Sequence, residues 1–156
     1  MAAPFRKITL ILLLALLGAP ALAQKIAFTV VSMDEIEARL KRVATKPERR
    51  KQNLVQLFEE AGCDETRRSE QHVRGVRFPN VICILRGSDD ATIIVGAHYD
   101  YVEMGEGAAD NWSGAALLPS LFQSLKDLPR RHTFVFVGFT DEEKGLVGSQ
   151  FYPANG

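Results

Sequence analysis

The sequence predicts an α/β fold in which a mixed, largely parallel sheet is flanked by helices. Three apolar runs, "VICIL", "ATIIVGA" and "HTFVFVGF", have the length and composition of buried strands. Helical spacing of apolar residues precedes the first run and separates the second from the third. Because parallel strands need such a crossover, we expect the second and third runs to be neighbouring or near-neighbouring parallel strands.

Two helices are predicted within residues 34–61, since apolar residues recur there at helical spacing and the pattern restarts at Pro47. Gly62 is the expected C-cap of the second helix. Beyond it the apolar period changes from helical to alternating. "HVRGVRF" is therefore predicted to form the first strand and "VICIL" the second.

The third predicted strand, "ATIIVGAHYD", is apolar over nearly its whole length, which is typical of an interior strand covered on both faces. A glycine-rich loop follows, and then an amphipathic helix over residues 113–128. Pro119 lies within that helix, where it could delay the start or kink the axis. The last strand, "HTFVFVGF", ends in the acidic turn "TDEEKG".

Residues 1–23 have the pattern of a cleaved signal peptide. Arg6 and Lys7 precede an apolar stretch too short to span a bilayer comfortably, and a small-x-small site lies before Gln24. We therefore expect a secreted or periplasmic protein without stable membrane insertion, with residues 24–156 as one domain. Removing two of the 19 basic residues leaves 17 against 19 acidic ones, a balance that argues against nucleic acid as a partner.

The two cysteines, Cys63 and Cys83, have two possible states. In an oxidising compartment they could form a disulfide, which would stabilise the fold by roughly 3 kcal/mol in the chain-entropy model. Cys83 lies inside "VICIL", so two inert core thiols are the alternative. Their spacing fits no zinc motif, and the sequence leaves both states open.

Five ionisable residues fall where the predicted fold brings them together. His98 and Asp100 end one strand, and Glu142 and Glu143 follow another. Asp110 lies between them in the glycine-rich loop, just before a helix. Because sites in open α/β sheets form beyond the carboxyl ends of the strands, we expect these side chains to converge on one rim.

Each of these residues, taken singly, has a simpler role than metal binding. A lone histidine after an apolar run most often packs or caps, Asp110 could be a helix N-cap, and Glu142 with Glu143 could be a solvated turn. Together, however, adjacent acids at a sheet edge repel each other unless a cation is present. Histidine with carboxylates suits zinc, and the aspartate of His-x-Asp can accept the other ring N–H. The pattern therefore predicts that His98 is a zinc ligand.

Between about residues 80 and 152, the sequence resembles the M28 family of zinc aminopeptidases. The resemblance is carried by three motifs in the order and spacing of that family. They are "GAHYD", "GAADNWSGAALL" and "FVGFTDEEKGLVGS". Each motif alone is weak evidence, but three in register are specific.

The resemblance implies a site with two zinc ions. His98 would bind one zinc, Asp110 would bridge both, and Glu143 would bind the other. Asp100 would support His98, and Glu142 would be the general base that takes a proton from the attacking water and returns it to the leaving amine. The family also has a cis peptide bond after the bridging aspartate. The implied substrate is a peptide or similar amide with a free N-terminus.

The sequence departs from the family pattern in two respects. Trp112 replaces a small residue and could narrow or floor the pocket. The family's two further ligands, an Asp and a His, lie beyond "EEKGLVGS", and His72 and His132 are expected to be structural instead. We therefore expect an incomplete C-terminal part of the sheet and two protein ligands per zinc, below the three usual at a catalytic zinc. This chain would then bind zinc weakly and be nearly inactive.

Three other interpretations remain. The M20 metallopeptidases combine His-x-Asp with an Asp-Glu-Glu turn, but they place a much longer interval before the bridging aspartate than the one from His98 to Asp110. The secreted glutaminyl cyclases share the fold, although their motif differs from "DNWSG". The chain could also be a non-catalytic remnant or a binding module with the same fold.

Overall fold

The computed structural model describes residues 27–155, and the predicted signal peptide of residues 1–23 lies outside that range. The described part has four helices and four strands, with a kinked turn at Ala108–Trp112 in which Asp110 and Asn111 have non-helical backbone angles. In chain order they are α1 (Met33–Leu40), α2 (Pro47–Glu60), β1 (Arg68–Gln71), β2 (Asn80–Leu85), β3 (Thr92–His98), α3 (Ser113–Leu125), β4 (Thr133–Phe139) and α4 (Val147–Asn155). None of these helices is long and apolar enough to cross a bilayer.

The strands form one mixed sheet in the order β1-β2-β4-β3. β3 and β4 pair in parallel, with Thr92 opposite Thr133 and His98 opposite Phe139. This confirms the mixed α/β fold and the parallel pairing of the two apolar runs. The other two pairings, β1 with β2 and β2 with β4, are antiparallel, so parallel pairs do not predominate among the described strands.

The prediction that "HVRGVRF" forms the first strand is wrong. Strand β1 lies upstream, at Arg68–Gln71, and residues 72–78 form turns, with Gly75 at a φ of +79°. β1 is short and largely solvent-exposed, so it shows no apolar alternation. Its place in the sheet comes from backbone pairing with β2.

The prediction that β3 is an interior strand covered on both faces is also wrong for the described chain. β3 is the edge of the described sheet, and Ile94 is 53% exposed. Within the described sheet, β3 pairs on one side only, with β4. The carboxyl end is better covered, because Ala97 and Tyr99 belong to the core.

The main core lies between one face of the sheet and helices α2 and α3. Leu54 and Phe58 of α2 and Phe122 of α3 are fully buried there against Phe136 of β4. The rings of Phe122 and Phe136 meet edge to face at 5.8 Å. Helix α3 runs unbroken through Pro119, and α4 packs on the opposite face.

The end of α2 is tied to the sheet by a covalent link. Gly62 follows the helix at a φ of +95°, as expected of a C-cap glycine, and turns the chain toward Cys63. Cys63 forms a disulfide with Cys83 of β2, so the disulfide alternative is the one that the structure contains. The bond joins the helical layer to the centre of the sheet.

Candidate metal centre

The predicted site residues lie on one rim, at the carboxyl ends of the parallel strands β3 and β4. His98 is the last residue of β3, and the backbone N–H of Tyr99 donates to the carbonyl oxygen of Phe139 at 3.0 Å. Glu142 and Glu143 lie in the turn after β4, beyond Thr140 and Asp141. The parallel register therefore sets the imidazole and the acidic turn side by side.

Three side chains form a group with metal-ligand chemistry. One ligand atom from each of His98, Asp110 and Glu143 lies within 4.8 Å of the other two. Nε2 of His98 and Oδ1 of Asp110 are 3.0 Å apart. The expected convergence is therefore present, although Asp110 and Glu143 are exposed to solvent.

The opposite nitrogen of His98 faces Asp100. Nδ1 lies 3.3 Å from the carbonyl oxygen of Asp100 and 3.5 Å from its Oδ1, a buried atom without another hydrogen-bond partner. Asp100 raises the pKa of His98 above its usual value. Burial alone would raise the pKa of the Asp100 carboxyl, but hydrogen bonds from His98 and the Glu143 amide lower it overall. The pair therefore fixes the orientation of the ring.

This ring orientation gives a test of whether zinc fits. Nδ1 of His98 is directed at Asp100, so the opposite ring nitrogen, Nε2, is directed at the Asp110 carboxylate. A proton or a cation must therefore lie between Nε2 and that carboxylate. Zinc binds nitrogen and carboxylate oxygen at about 2.0–2.2 Å, which places two ligands of one ion at most roughly 4 Å apart. The donor set of His98, Asp110 and Glu143 suits zinc, and the 3.0 Å between Nε2 of His98 and Oδ1 of Asp110 is within this limit.

Asp110 does not cap helix α3. The first turn of α3 is instead contacted by the Asn111 side chain, whose Oδ1 accepts the N–H of Gly114 at 3.2 Å. Asp110 and Asn111 are joined by a cis peptide bond, as the family resemblance implies. The Asp110 carboxylate is 81% exposed and is directed to His98. The helix-cap alternative is therefore not what the structure contains.

Glu142 lies in the same turn as Glu143 but makes different contacts. Its Oε1 accepts the backbone N–H of Ser149 at 2.7 Å, and its Oε2 accepts the Ser149 hydroxyl at 2.8 Å. Ser149 lies in the first turn of α4. The carboxylate is thus held at a helix N-terminus, which favours its negative charge. Ser149 is a contact that the sequence reasoning missed, although it is part of the third motif.

Asn80 of β2 holds the acidic turn in place, and the sequence reasoning missed this residue as well. This fully buried side chain accepts the N–H of Thr140 at 3.1 Å and donates to the carbonyl oxygen of Gly148 at 3.0 Å. It therefore ties the start of the turn to its end. A Cβ on Gly148 would lie 2.4 Å from the Thr140 carbonyl oxygen, so only glycine fits there.

The remaining predicted positions lie away from the ligand group. Trp112 does not floor a pocket: it is buried in the core, and its indole N–H donates to the Leu40 carbonyl oxygen at 3.2 Å. His132 contacts Asp89 at the start of β4, and His72 is exposed. A cleft of about 650 Å³ does border the site. Its lining includes Phe78, Asp100, Tyr101 and Glu143.

Comparisons with known proteins agree with the motifs. The sequence model of Peptidase family M28 matches residues 80–155. Aminopeptidase YwaD of Bacillus subtilis is 33% identical over 87 residues, which are 56% of this chain and 18% of that protein. The chain thus spans about a fifth of the length of this relative.

Solved structures agree on the fold. The Legionella pneumophila LapA aminopeptidase superposes with a TM-score of 0.56 at 21% identity, covering 85% of this chain and 44% of that one. The Fimbriiglobus ruber glutaminyl cyclase gives 0.59 at 22% identity, covering 88% and 59%. At these identities the likeness concerns the fold alone. The similarity to a family is carried by residues 80–155, just under half of the chain, which match the model of Peptidase family M28.

Proposed function

We propose that this chain contributes a zinc site to an aminopeptidase-type hydrolysis of peptide bonds. The observation that carries the proposal is the convergence of His98, Asp110 and Glu143 within 4.8 Å at the carboxyl ends of two parallel strands. The match to peptidase family M28 and the likeness to an aminopeptidase support the same reaction class. Asp110 would hold zinc together with His98 and Glu143, and the family resemblance implies that it would be shared by two ions.

The roles of the chain's own residues follow from their contacts. Asp100 holds the imidazole of His98, so that Nε2 faces the ligand group. Glu142, held by Ser149, is the proposed general base for the attacking water and the proton donor to the leaving amine. Bound zinc would supply a Lewis acid for the scissile carbonyl and an acidic water. The cleft beside Glu143 would receive a peptide with a free N-terminus.

Hydrolysis should need more ligands than the described residues bring together. Three side chains converge here, whereas a pair of catalytic zinc ions usually has three protein ligands each. We propose that this chain alone hydrolyses substrates negligibly, and that a form extended to include the family's remaining Asp and His is active. Elemental analysis of zinc, with leucine amide turnover, tests this. Robust activity of the 156-residue chain would contradict the assignment of the ligands.

A glutaminyl cyclase activity is the second candidate, because a cyclase shares the fold. The two reactions differ in their products, since cyclisation of an N-terminal glutamine releases ammonia without breaking the chain. Assaying the extended form with leucine amide and with a glutaminyl peptide separates them. The relative with 33% identity favours hydrolysis.

We propose that the protein is exported, to the periplasm or the medium. The pattern of residues 1–23 and the Cys63–Cys83 disulfide support this location, since disulfides persist in oxidising compartments. Fractionation of cells that produce the tagged chain would test it. Retention of the whole product in the cytoplasm would contradict the proposal.

A further inference from the structure

Arg50 is a buried cation whose hydrogen bonds end on backbone carbonyl oxygens. It lies on α2, and its side chain has no exposed surface. Nε donates to Ala44 at 2.6 Å, Nη1 to Tyr99 at 3.0 Å, and Nη2 to Gly107 at 3.1 Å and to Glu106. The guanidinium thus holds backbone at several separate points.

Burying such a group without a tightly paired carboxylate is costly, so its surroundings must compensate. Burial lowers the pKa of Arg50 from its usual high value, whereas Tyr101 and Asp100 raise it. The ring of Tyr101 lies 4.5 Å from the guanidinium carbon and that of Trp112 lies 5.6 Å from it. Both distances allow a cation–π contact. Both rings belong to one loop, which follows β3.

That loop, residues 99–112, joins His98 to Asp110 and the first turn of α3. Arg50 binds it just after His98, through Tyr99, and again just before Asp110, through Gly107. Gly107 has a φ of +54°, and a Cβ there would lie 2.4 Å from Cβ of Tyr101 and 2.9 Å from Nη2 of Arg50. The backbone therefore packs directly on the guanidinium at this point.

We propose that Arg50 is a positioning residue for the metal centre, which holds the loop so that Asp110 faces His98 and Glu143 before metal binds. The side chain of Asp110 is 81% exposed, and His98 is the partner the structure gives it, so its position depends on the backbone that carries it. This inference rests on the proposed zinc function. Preorganised ligands bind a metal more tightly than ligands that must first be ordered.

The test replaces Arg50 by Met, which removes the donors but keeps much of the bulk. Zinc affinity of the chain is measured by competition with a chromophoric chelator, and amide hydrogen exchange over residues 100–110 is measured without zinc. We expect roughly 10- to 100-fold weaker zinc binding, the range typical of losing an outer partner of a metal ligand. We also expect faster exchange in the loop.

Arg39 offers a matched control on α1. It is likewise buried, and it contacts Ser120, Glu35 and Gln123 rather than the loop. Arg39→Met should destabilise the fold and leave the zinc affinity of the folded chain unchanged. Arg50→Lys should bind zinc with intermediate affinity, because an ammonium keeps the charge but reaches fewer carbonyl oxygens. This partial rescue separates positioning from simple packing.

The outcomes separate this inference from the proposed function. If the wild-type chain binds no zinc, the proposed function fails, and the exchange of residues 100–110 still decides whether Arg50 holds the loop. A folded Arg50→Met chain with wild-type zinc affinity and unchanged exchange would overturn the inference while leaving the function intact. Equal losses of zinc affinity in the Arg39 and Arg50 variants, or failure of both Arg50 variants to fold, would also overturn it.

Discussion

The two segments that carry the predicted ligands are held in different ways. The turn after β4, residues 140–149, is held by a contact within the turn, since Ser149 binds both oxygens of Glu142. It is also held by Asn80 of β2, which binds the two ends of the turn. The loop after β3, residues 99–112, is longer and is held from α2 by Arg50. The acidic side of the site therefore combines a contact within the turn with an anchor on β2, whereas the Asp110 side is held by a residue on helix α2.

These different contacts predict which substitutions lower turnover, which weaken zinc binding and which lower only the stability of the fold. Glu142 is not one of the three residues whose ligand atoms converge. In the extended form, we expect Glu142→Gln to lower turnover of leucine amide by about 10²–10⁴-fold, the usual contribution of a general base. Zinc content by elemental analysis should stay near normal, because a base is not a ligand. Loss of zinc together with turnover would make Glu142 a ligand instead.

Substituting the ligands should produce the opposite pattern. Asp110→Asn should weaken zinc binding more than Glu143→Gln, because in the proposed site a bridging carboxylate would serve two ions whereas Glu143 would serve one. Both losses should exceed the roughly 10- to 100-fold typical of an outer partner, as measured by chelator competition. If Asp110→Asn left zinc affinity unchanged, the loop would not contribute to the metal centre at all.

Removing the clamp of the acidic turn should cost stability. Asn80→Ala leaves the buried N–H of Thr140 and carbonyl of Gly148 without this partner, so the free energy of unfolding should fall by about 1–3 kcal/mol. Urea unfolding measures the loss. Asn53→Ala is the control, because Asn53 donates one bond to the Arg42 carbonyl oxygen away from the site. An equal fall in the free energy of unfolding in both variants would contradict a specific role for Asn80.

The smallest expected effect is on the pH dependence of stability and of zinc affinity, which His98 sets. The pKa of His98 is raised, mainly by its contact with Asp100. In the metal-free chain this contact therefore stabilises the folded state fully below about pH 6.5, the ordinary histidine pKa. The stabilisation is lost as the pH rises through the pKa of His98 in the folded state. Zinc needs the neutral ring, so its affinity should rise with pH across that same range. Asp100→Asn should move this rise to lower pH in a zinc titration. An unchanged or higher midpoint would contradict the contact.

How far the sequence predicted the molecule differs between these elements. The pairing of β3 with β4 was predictable, because both are apolar runs separated by a helix. The convergence of residues at the carboxyl ends of these two strands followed from that parallel pairing. Strand β1 was not, because it is polar and is held by backbone pairing that leaves no apolar pattern. Helix α4 carries Ser149 and also lacks a strong apolar stripe.

The site shows the same division. His98, Asp110 and Glu143 belong to local motifs and could be named from the sequence. Arg50 and Asn80 could not, since their partners are backbone groups that only the tertiary fold brings near. Arg50 lies in the charged run "KPERRKQ", whose composition is typical of a solvated helix face. A charge that a helix buries cannot be told from an exposed one until the packing of the helix is known.

The central claim is that His98, Asp110 and Glu143 bind zinc together at the rim of the sheet. Crystals of the chain grown with zinc, with diffraction measured on both sides of the zinc absorption edge, test it most directly. The account predicts an anomalous peak about 2.0–2.2 Å from Nε2 of His98 and from a carboxylate oxygen of Asp110, with Glu143 at the same or an adjoining peak. A zinc peak elsewhere, with none in contact with these three side chains, would contradict it.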